Sequence, residues 1–295
     1  MKNNIPFKNA FRVLALLVMI LPTIPLIPCG AQGIRCTYTH KKIDDPQNKK
    51  KTRQYRDVLL DLDQGRSLFY SEADFVYDSL FSLSFDKNGK QLQNEAAEQL
   101  TRTRSGMHWM TEINYLSGTF TQYDKFLQTI IGNGTLEMPS WKITDETQEI
   151  AGYDCRKAVA HYLGREWTAW FTEEIPVQAG PWLLWGLPGL IVDARDADQY
   201  IIFTLTGIVP LADGHRAEFM KDWMRNHKSG SLQVYEYDFR EAQAVVLKMH
   251  NDISFAAHMS NPGAKLMTKD ETGKIVPLQS PPYIPLIPPE YWKTR

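Results

Sequence analysis

Tyr153-Asp154-Cys155-Arg156-Lys157-Ala158-Val159-Ala160-His161-Tyr162-Leu163, Gly164 and Arg165-Glu166-Trp167-Thr168-Ala169-Trp170-Phe171-Thr172 form one unbroken stretch of the 295-residue chain. β-branched and aromatic residues on either side of a single turn glycine predict a β-hairpin. Leu190 to Ala194 and Gln199 to Leu205 predict a second hairpin, with the polar Arg195-Asp196-Ala197-Asp198 at its tip. Towards the N-terminus, Ile34 to Thr39 and Tyr55 to Leu62 read as strands, and Lys41 to Lys51 as a solvated, charged loop. Asp63-Gln64-Gly65 reverses the chain into Arg66 to Tyr70. Strands fill most of Trp109 to Leu205, and another is expected at Leu232 to Phe239. Helices are expected at Glu95 to Arg102, at His215 to His227 behind an Asp213 cap, and at Ala242 to His258. Many antiparallel strands with few helices predict an α+β, mostly β fold built on an antiparallel sheet.

Thirty-three basic residues stand against 34 acidic ones, a formal net charge of −1. That balance argues against nucleic acid as a partner, because such binding needs a basic surface to release counterions. Lys2, Lys8 and Arg12 precede an apolar run from Val13 to Ile27 that is too short to span a membrane, and small residues follow at Gly30 and Ala31. This is the layout of a secretory signal, residues 1–31, with cleavage after Ala31. The mature chain then carries no transmembrane helix. A competing layout, Leu26-Ile27-Pro28-Cys29, has the outline of a lipoprotein signal, although proline fits poorly before the cysteine. Cleavage after Ala31 leaves Cys36 and Cys155, and an even count in an oxidising compartment suggests a disulfide; two separately buried thiols are the alternative. Residues 32–261 read as a single domain. Seven of the 17 prolines fall in residues 262–295, so Pro281 to Pro289 must be extended or polyproline-II-like. Its apolar interleaving predicts a strap lying over the body, the alternative being a docking segment for a partner with an aromatic groove.

Gly180-Pro181-Trp182-Leu183-Leu184-Trp185-Gly186-Leu187-Pro188-Gly189-Leu190-Ile191 carries no charged side chain. Proline at 188 followed by glycine at 189 predicts a type II turn with positive φ at Gly189. The hexapeptide Gly186-Leu187-Pro188-Gly189-Leu190-Ile191 resembles the name-giving motif of the GLPGLI family of exported bacterial proteins. Ile150 to Ala158, Trp170-Phe171-Thr172, Ile175-Pro176 and Gly180-Pro181-Trp182 resemble its surroundings, and the likeness is strong from Trp141 to Leu205. The resemblance implies a cell-envelope protein without an assigned activity and supplies no catalytic residues. A long antiparallel sheet curved around helices resembles the half-barrel of periplasmic lipoprotein carriers, which can hold an apolar ligand; that comparison is one of fold alone.

Trp167, Trp170, Trp182 and Trp185 are candidate ligand-binding residues if they line one aromatic groove, and core residues otherwise. Met107-His108, Met249-His250 and His258-Met259 combine soft-metal ligands but share no fixed spacing, so packing is the expected reading and no metal or other cofactor is implied. Nucleophile elbows, zinc-protease helices, Walker loops and dinucleotide fingerprints are all missing from the sequence. The expected function is therefore non-catalytic: a binding or carrier protein for an apolar or envelope-derived ligand. The alternative is an accessory protein docking on an outer-membrane transport or assembly complex.

Overall fold

The computed structural model describes residues 33–48, 52–86, 90–104, 106–211, 222 and 233–293. The expected signal segment, Cys29 and, but for Asp222, the helix expected at His215 to His227 lie outside them.

Strands β1 (Ile34–Ile43), β2 (Thr52–Asp63), β3 (Arg66–Ser71), β4 (Trp109–Asn114), β5 (Thr119–Phe126) and β6 (Gln128–Thr135) form one meander. β7 (Lys142–Ile150), β8 (Tyr153–Tyr162), β9 (Arg165–Thr172), β10 (Leu190–Asp196) and β11 (Ile201–Pro210) form a second. The two are joined where β1 pairs with β11, giving a 12-stranded sheet in the order β12-β6-β5-β4-β3-β2-β1-β11-β10-β9-β8-β7. The mostly β fold with a large curved antiparallel sheet is thus present. One edge differs from expectation: β12 (Val234–Asp238) runs parallel to β6. Register shifts interrupt β1 on both sides, β9–β10 and β7–β8. Bulges of this kind bend the bulged strand and increase its twist, which curves the sheet.

The inner face carries Tyr38, Leu60, Phe69, Phe171 and Phe203 in the main core. Onto it pack Trp182, Leu183, Leu184 and Leu187 of the apolar segment, all nearly inaccessible to water. Burying each leucine contributes about 1.5–3 kcal/mol. The phenol of Tyr38 pins the same segment by donating to the Ile191 carbonyl at 2.7 Å. Helices α3 (Phe239–Asn251) and α4 (Ile253–Ser260) cover the inner face beside β5 and β6, through Ala242, Val246, Met249 and Ala256. A single helix was expected here. The chain breaks at Asp252, whose carboxylate caps α4 by accepting from the Phe255 amide at 3.0 Å.

The outer face is smaller, with Leu59, Leu68, Tyr70, Met110, Tyr123 and Ile131 packed under Phe75 of α1 (Glu72–Leu83). α1 has no counterpart in the sequence reading. α2 falls on Glu95–Arg102 as expected, with Asn94 accepting from the Ala97 amide.

Three further expectations are corrected. Lys41 and Lys42 belong to β1, and Lys42 is buried, because Cys36, Tyr38, His40 and Lys42 alternate onto the inner face. Gly189 is not in the positive-φ region; Gly186, at φ 89°, is. Gly189 is required for another reason: a Cβ there would lie 1.9 Å from the Thr172 carbonyl oxygen. Cys36 and Cys155 are both buried free thiols. β11, β10 and β9 stand between their strands, on the order of 19 Å along the sheet at the usual strand spacing, well beyond disulfide reach. Moreover, Cys36 lies on the inner face with Tyr38, whereas Cys155 alternates with the inward Ala158 and Ala160 and so takes the outer face.

Candidate groove and polar cluster

The C-terminal segment leaves α4 through a small exposed hairpin, β13 (Met267–Lys269) and β14 (Ile275–Pro277), and then crosses the inner face as an extended strap. Ile284, Leu286 and Ile287 are buried in it. Proline 285 offers no amide donor, so the groove needs no acceptor there. It does present donors. Arg165, at the start of β9, gives Nε to the Leu286 carbonyl at 2.8 Å and Nη2 to the Pro285 carbonyl at 2.6 Å. Its remaining arm reaches Asp196 of β10 at 2.8 Å, with the two side chains only 8% and 2% exposed. Burial raises the Asp196 pKa, opposed by the Ile201 amide and by Arg165. Beyond the clamp, Tyr291 stacks edge-on with Trp292, Trp292 meets Phe239 of α3, and Arg240 donates to the Trp292 carbonyl at 2.8 Å.

The N-terminal end of the strap closes a polar cluster. The Tyr283 ring lies 3.7 Å from the His250 imidazole and within 6° of parallel to it, and His250 stacks in turn on Phe126 at 4.2 Å. The Lys42 ammonium sits 4.3 Å from the centre of the Tyr283 ring. With one ring face taken by His250, the cation occupies the other. Lys42 also pairs with Asp44 at 3.1 Å, which accepts from Arg53 at 2.9 Å. Deeper, His40 is fully buried in an aromatic box, stacked on Phe203 and Tyr55 and edge-on to Trp109. Its Nδ1 is 3.4 Å from the Met107 sulfur. A thioether has no proton to give, so a hydrogen bond here puts the proton on Nδ1; Nε2 is buried without a partner among the described residues. Asp124 of β5 takes a 3.4 Å contact from the Gln243 amide of α3.

Burial dominates the electrostatics. It pushes the His40 pKa down to about 3, with Lys42 adding to the effect. It takes His250 down to about 4, again with help from Lys42. It lowers Lys42 itself against the pull of Asp44, and raises Tyr283. Asp124 rises to about 7 because desolvation outweighs the hydrogen bonds of Gln122 and Gln243. The cluster is therefore a set of neutral imidazoles beside one buried cation and a carboxylate whose ionisation burial opposes.

The four candidate tryptophans do not share a groove. Trp167 and Trp182 pack together in the core with ring centres 6.0 Å apart. Trp170 lies an odd number of residues from Trp167 on β9 and takes the outer face, opposite Asp193. Trp185 is half-exposed between Tyr115 and the Glu137 carbonyl. Trp182 holds a strained φ of 54°. The methionine–histidine pairs also separate: Met249 and Met259 enter the α3–α4 core, whereas Met107 meets His40. Among the described residues, no three histidine, cysteine or acidic side chains are placed to hold a metal ion, and no helix is long and apolar enough to cross a membrane. The groove's key residues, Arg165, Lys42 and His250, were not anticipated. The only sequence signal for Lys42 was its place in the alternation begun by Cys36.

A curved antiparallel β protein with an extended segment seated on its inner face is the class these features define. A family described as a protein of unknown function (Porph_ging) matches residues 164–193, which include Arg165, Trp167 and the hexapeptide. No curated protein matches. Two solved structures of PNGF-II are similar, with TM-scores of 0.48 and 0.46 and identities of 16% and 17%. Each similarity covers 75% of this chain and 34% of that one, so the chain spans about a third of the length of the structures it matches.

Proposed function

We propose that the chain is an exported cell-envelope protein of GLPGLI type, a non-catalytic binding or carrier protein whose inner-face groove holds an extended apolar ligand. One observation carries this reading: the groove already holds such a segment, with Ile284, Leu286 and Ile287 buried and Arg165 bonded to two successive carbonyls. The same burial weighs against the strap as a free docking arm, because its apolar side chains face the body. Native mass spectrometry of the full chain taken from its own envelope is the test. An apolar adduct is the expected result. An unliganded mass, together with tryptophan fluorescence that does not respond to fatty acid or apolar peptide, refutes the reading. The same spectra report the mature N-terminus: cleavage after Ala31 is expected, and an acylated Cys29 overturns that cut.

A further inference from the structure

Resting on the groove reading above, we propose that the groove is a reader of extended peptides of the form Tyr-x-Pro followed by two aliphatic residues, supplied in trans by a partner chain, with the strap as its resident occupant. The strap shows which chemistry the groove accepts. At the first position an aromatic ring is gripped between the Lys42 ammonium and the His250 imidazole, at 4.3 Å and 3.7 Å. An aliphatic residue cannot supply the π-face that both neighbours use. At the third position, proline presets the extended backbone and brings no amide that the groove would have to satisfy. Across the third and fourth positions, Arg165 aims two donors at consecutive main-chain carbonyls. Those directional bonds have no counterpart in a hydrocarbon tail. If the groove emptied, a buried guanidinium would lose two acceptors while still tied to Asp196, so a peptide is the occupant its polar groups fit.

The attachment of the strap also suits exchange. It reaches the body through residues 261–280, in which Met267, Thr268, Lys269 and Ile275 are exposed and the β13–β14 hairpin forms a sheet of its own. An amide–hydroxyl bond from Ile253 to Ser280 at 2.8 Å anchors its end. The strap is thus a tethered ligand on a separate surface hairpin, and leaving the groove disrupts no strand of the large sheet.

The test uses the full chain and, as probe, a fluorescein-labelled peptide with the sequence of residues 280–290. Tyr283→Ala weakens the resident strap and leaves the groove side chains intact. It is expected to bind the probe at least about tenfold more tightly than the unaltered chain, whose own strap competes at the millimolar effective concentration of a short tether. A probe with alanine for its tyrosine is expected to lose that affinity. Dodecanoic acid is titrated in parallel. If it binds and the peptide does not, the peptide proposal is overturned and the apolar-carrier reading stands; if neither binds, both fall. Should Tyr283→Ala not fold, a protease site placed in the exposed turn at residues 270–273 allows the unaltered strap to be cut free. Exchange of that strap for labelled peptide at one per chain supports the proposal, and its failure to exchange overturns it.

Discussion

Replacing His40 by phenylalanine removes one titrating group from the centre of the molecule, together with its contact to the Met107 sulfur. The imidazole stacks on Phe203 at 4.6 Å and on Tyr55 at 5.5 Å, an environment that accepts a phenyl ring. Burial holds its pKa at about 3 against an ordinary 6.5. As pH falls below 6.5 the unfolded chain takes up a proton at this residue and the folded chain does not. Folding stability therefore drops by about 1.4 kcal/mol per pH unit from this group alone until the folded pKa is reached. Over the two units from pH 6.5 to 4.5 that amounts to about 3 kcal/mol. His40→Phe escapes this loss. Urea unfolding of both proteins at pH 7.5 and pH 4.5 is the assay. The variant is expected to be close to the parent at the higher pH and more stable by roughly 3 kcal/mol, relative to that difference, at the lower. A gap between the two proteins that is the same at both pH values would refute the burial argument for His40.

Asp124 has the opposite sign. Its folded pKa of about 7 lies above the ordinary 3.8, so the folded chain binds the extra proton and stability from this group falls as pH rises through that interval. Asp124→Asn is expected to gain on the parent between pH 4 and pH 7 in the same unfolding series, and a variant that loses ground contradicts the assignment. Gly189→Val should lower the melting temperature by more than ten degrees or prevent folding, because its Cβ meets the Thr172 carbonyl at 1.9 Å; an unchanged melting curve counts against that close approach. Cys36 and Cys155, whose thiol pKa values are pushed up to about 12 and about 11 mainly by burial, should react slowly with Ellman's reagent when folded and as two thiols when unfolded without reductant. Fewer than two thiols after unfolding would show a bridge. Arg165→Met leaves Asp196 buried without its guanidinium, a change that costs about 3–5 kcal/mol when one partner of a buried pair is removed; differential calorimetry should show it, and a stability loss below about 1 kcal/mol sets aside the clamp as an anchor of the strap.

The parts of the fold that local chemistry specifies were legible in the sequence. A turn glycine between β-prone runs marks β8–β9, and Asn94 with acidic residues at Glu95 and Glu98 marks α2. α1 was missed because the side chains it buries are Asp74 and Asp78. Asp74 accepts from the Gly106 and His108 amides at 2.8 and 2.9 Å, and Asp78 pairs with Lys125, so the face it buries most deeply is acidic while Val76 and Leu83 stay exposed. The charge run from Lys41 to Lys51 masks the place of Lys42 in the alternation of β1. The groove was beyond local reasoning: its ring clamp unites β1, α3 and the strap, more than 200 residues apart. Nothing near Arg165 in sequence says that its guanidinium meets the carbonyls of Pro285 and Leu286.

The junction of the two meanders has a kinetic consequence. β1 forms its second ladder only with β11, so Ile34 to Lys42 must wait for Ile201 to Pro210. During synthesis β1 to β6 can assemble as soon as they emerge, and the half-sheet then exposes two unsatisfied edges, β1 until the second meander arrives and β6 until β12 does. Closure over so long a loop is slow, and an open edge invites pairing with other chains. The nascent protein thus carries an open, pairing-competent edge at the strand that ends up in the middle of the finished sheet. Of the two open edges β1 is the longer, ten residues against eight for β6, so a chaperone covering it would shield the greater length.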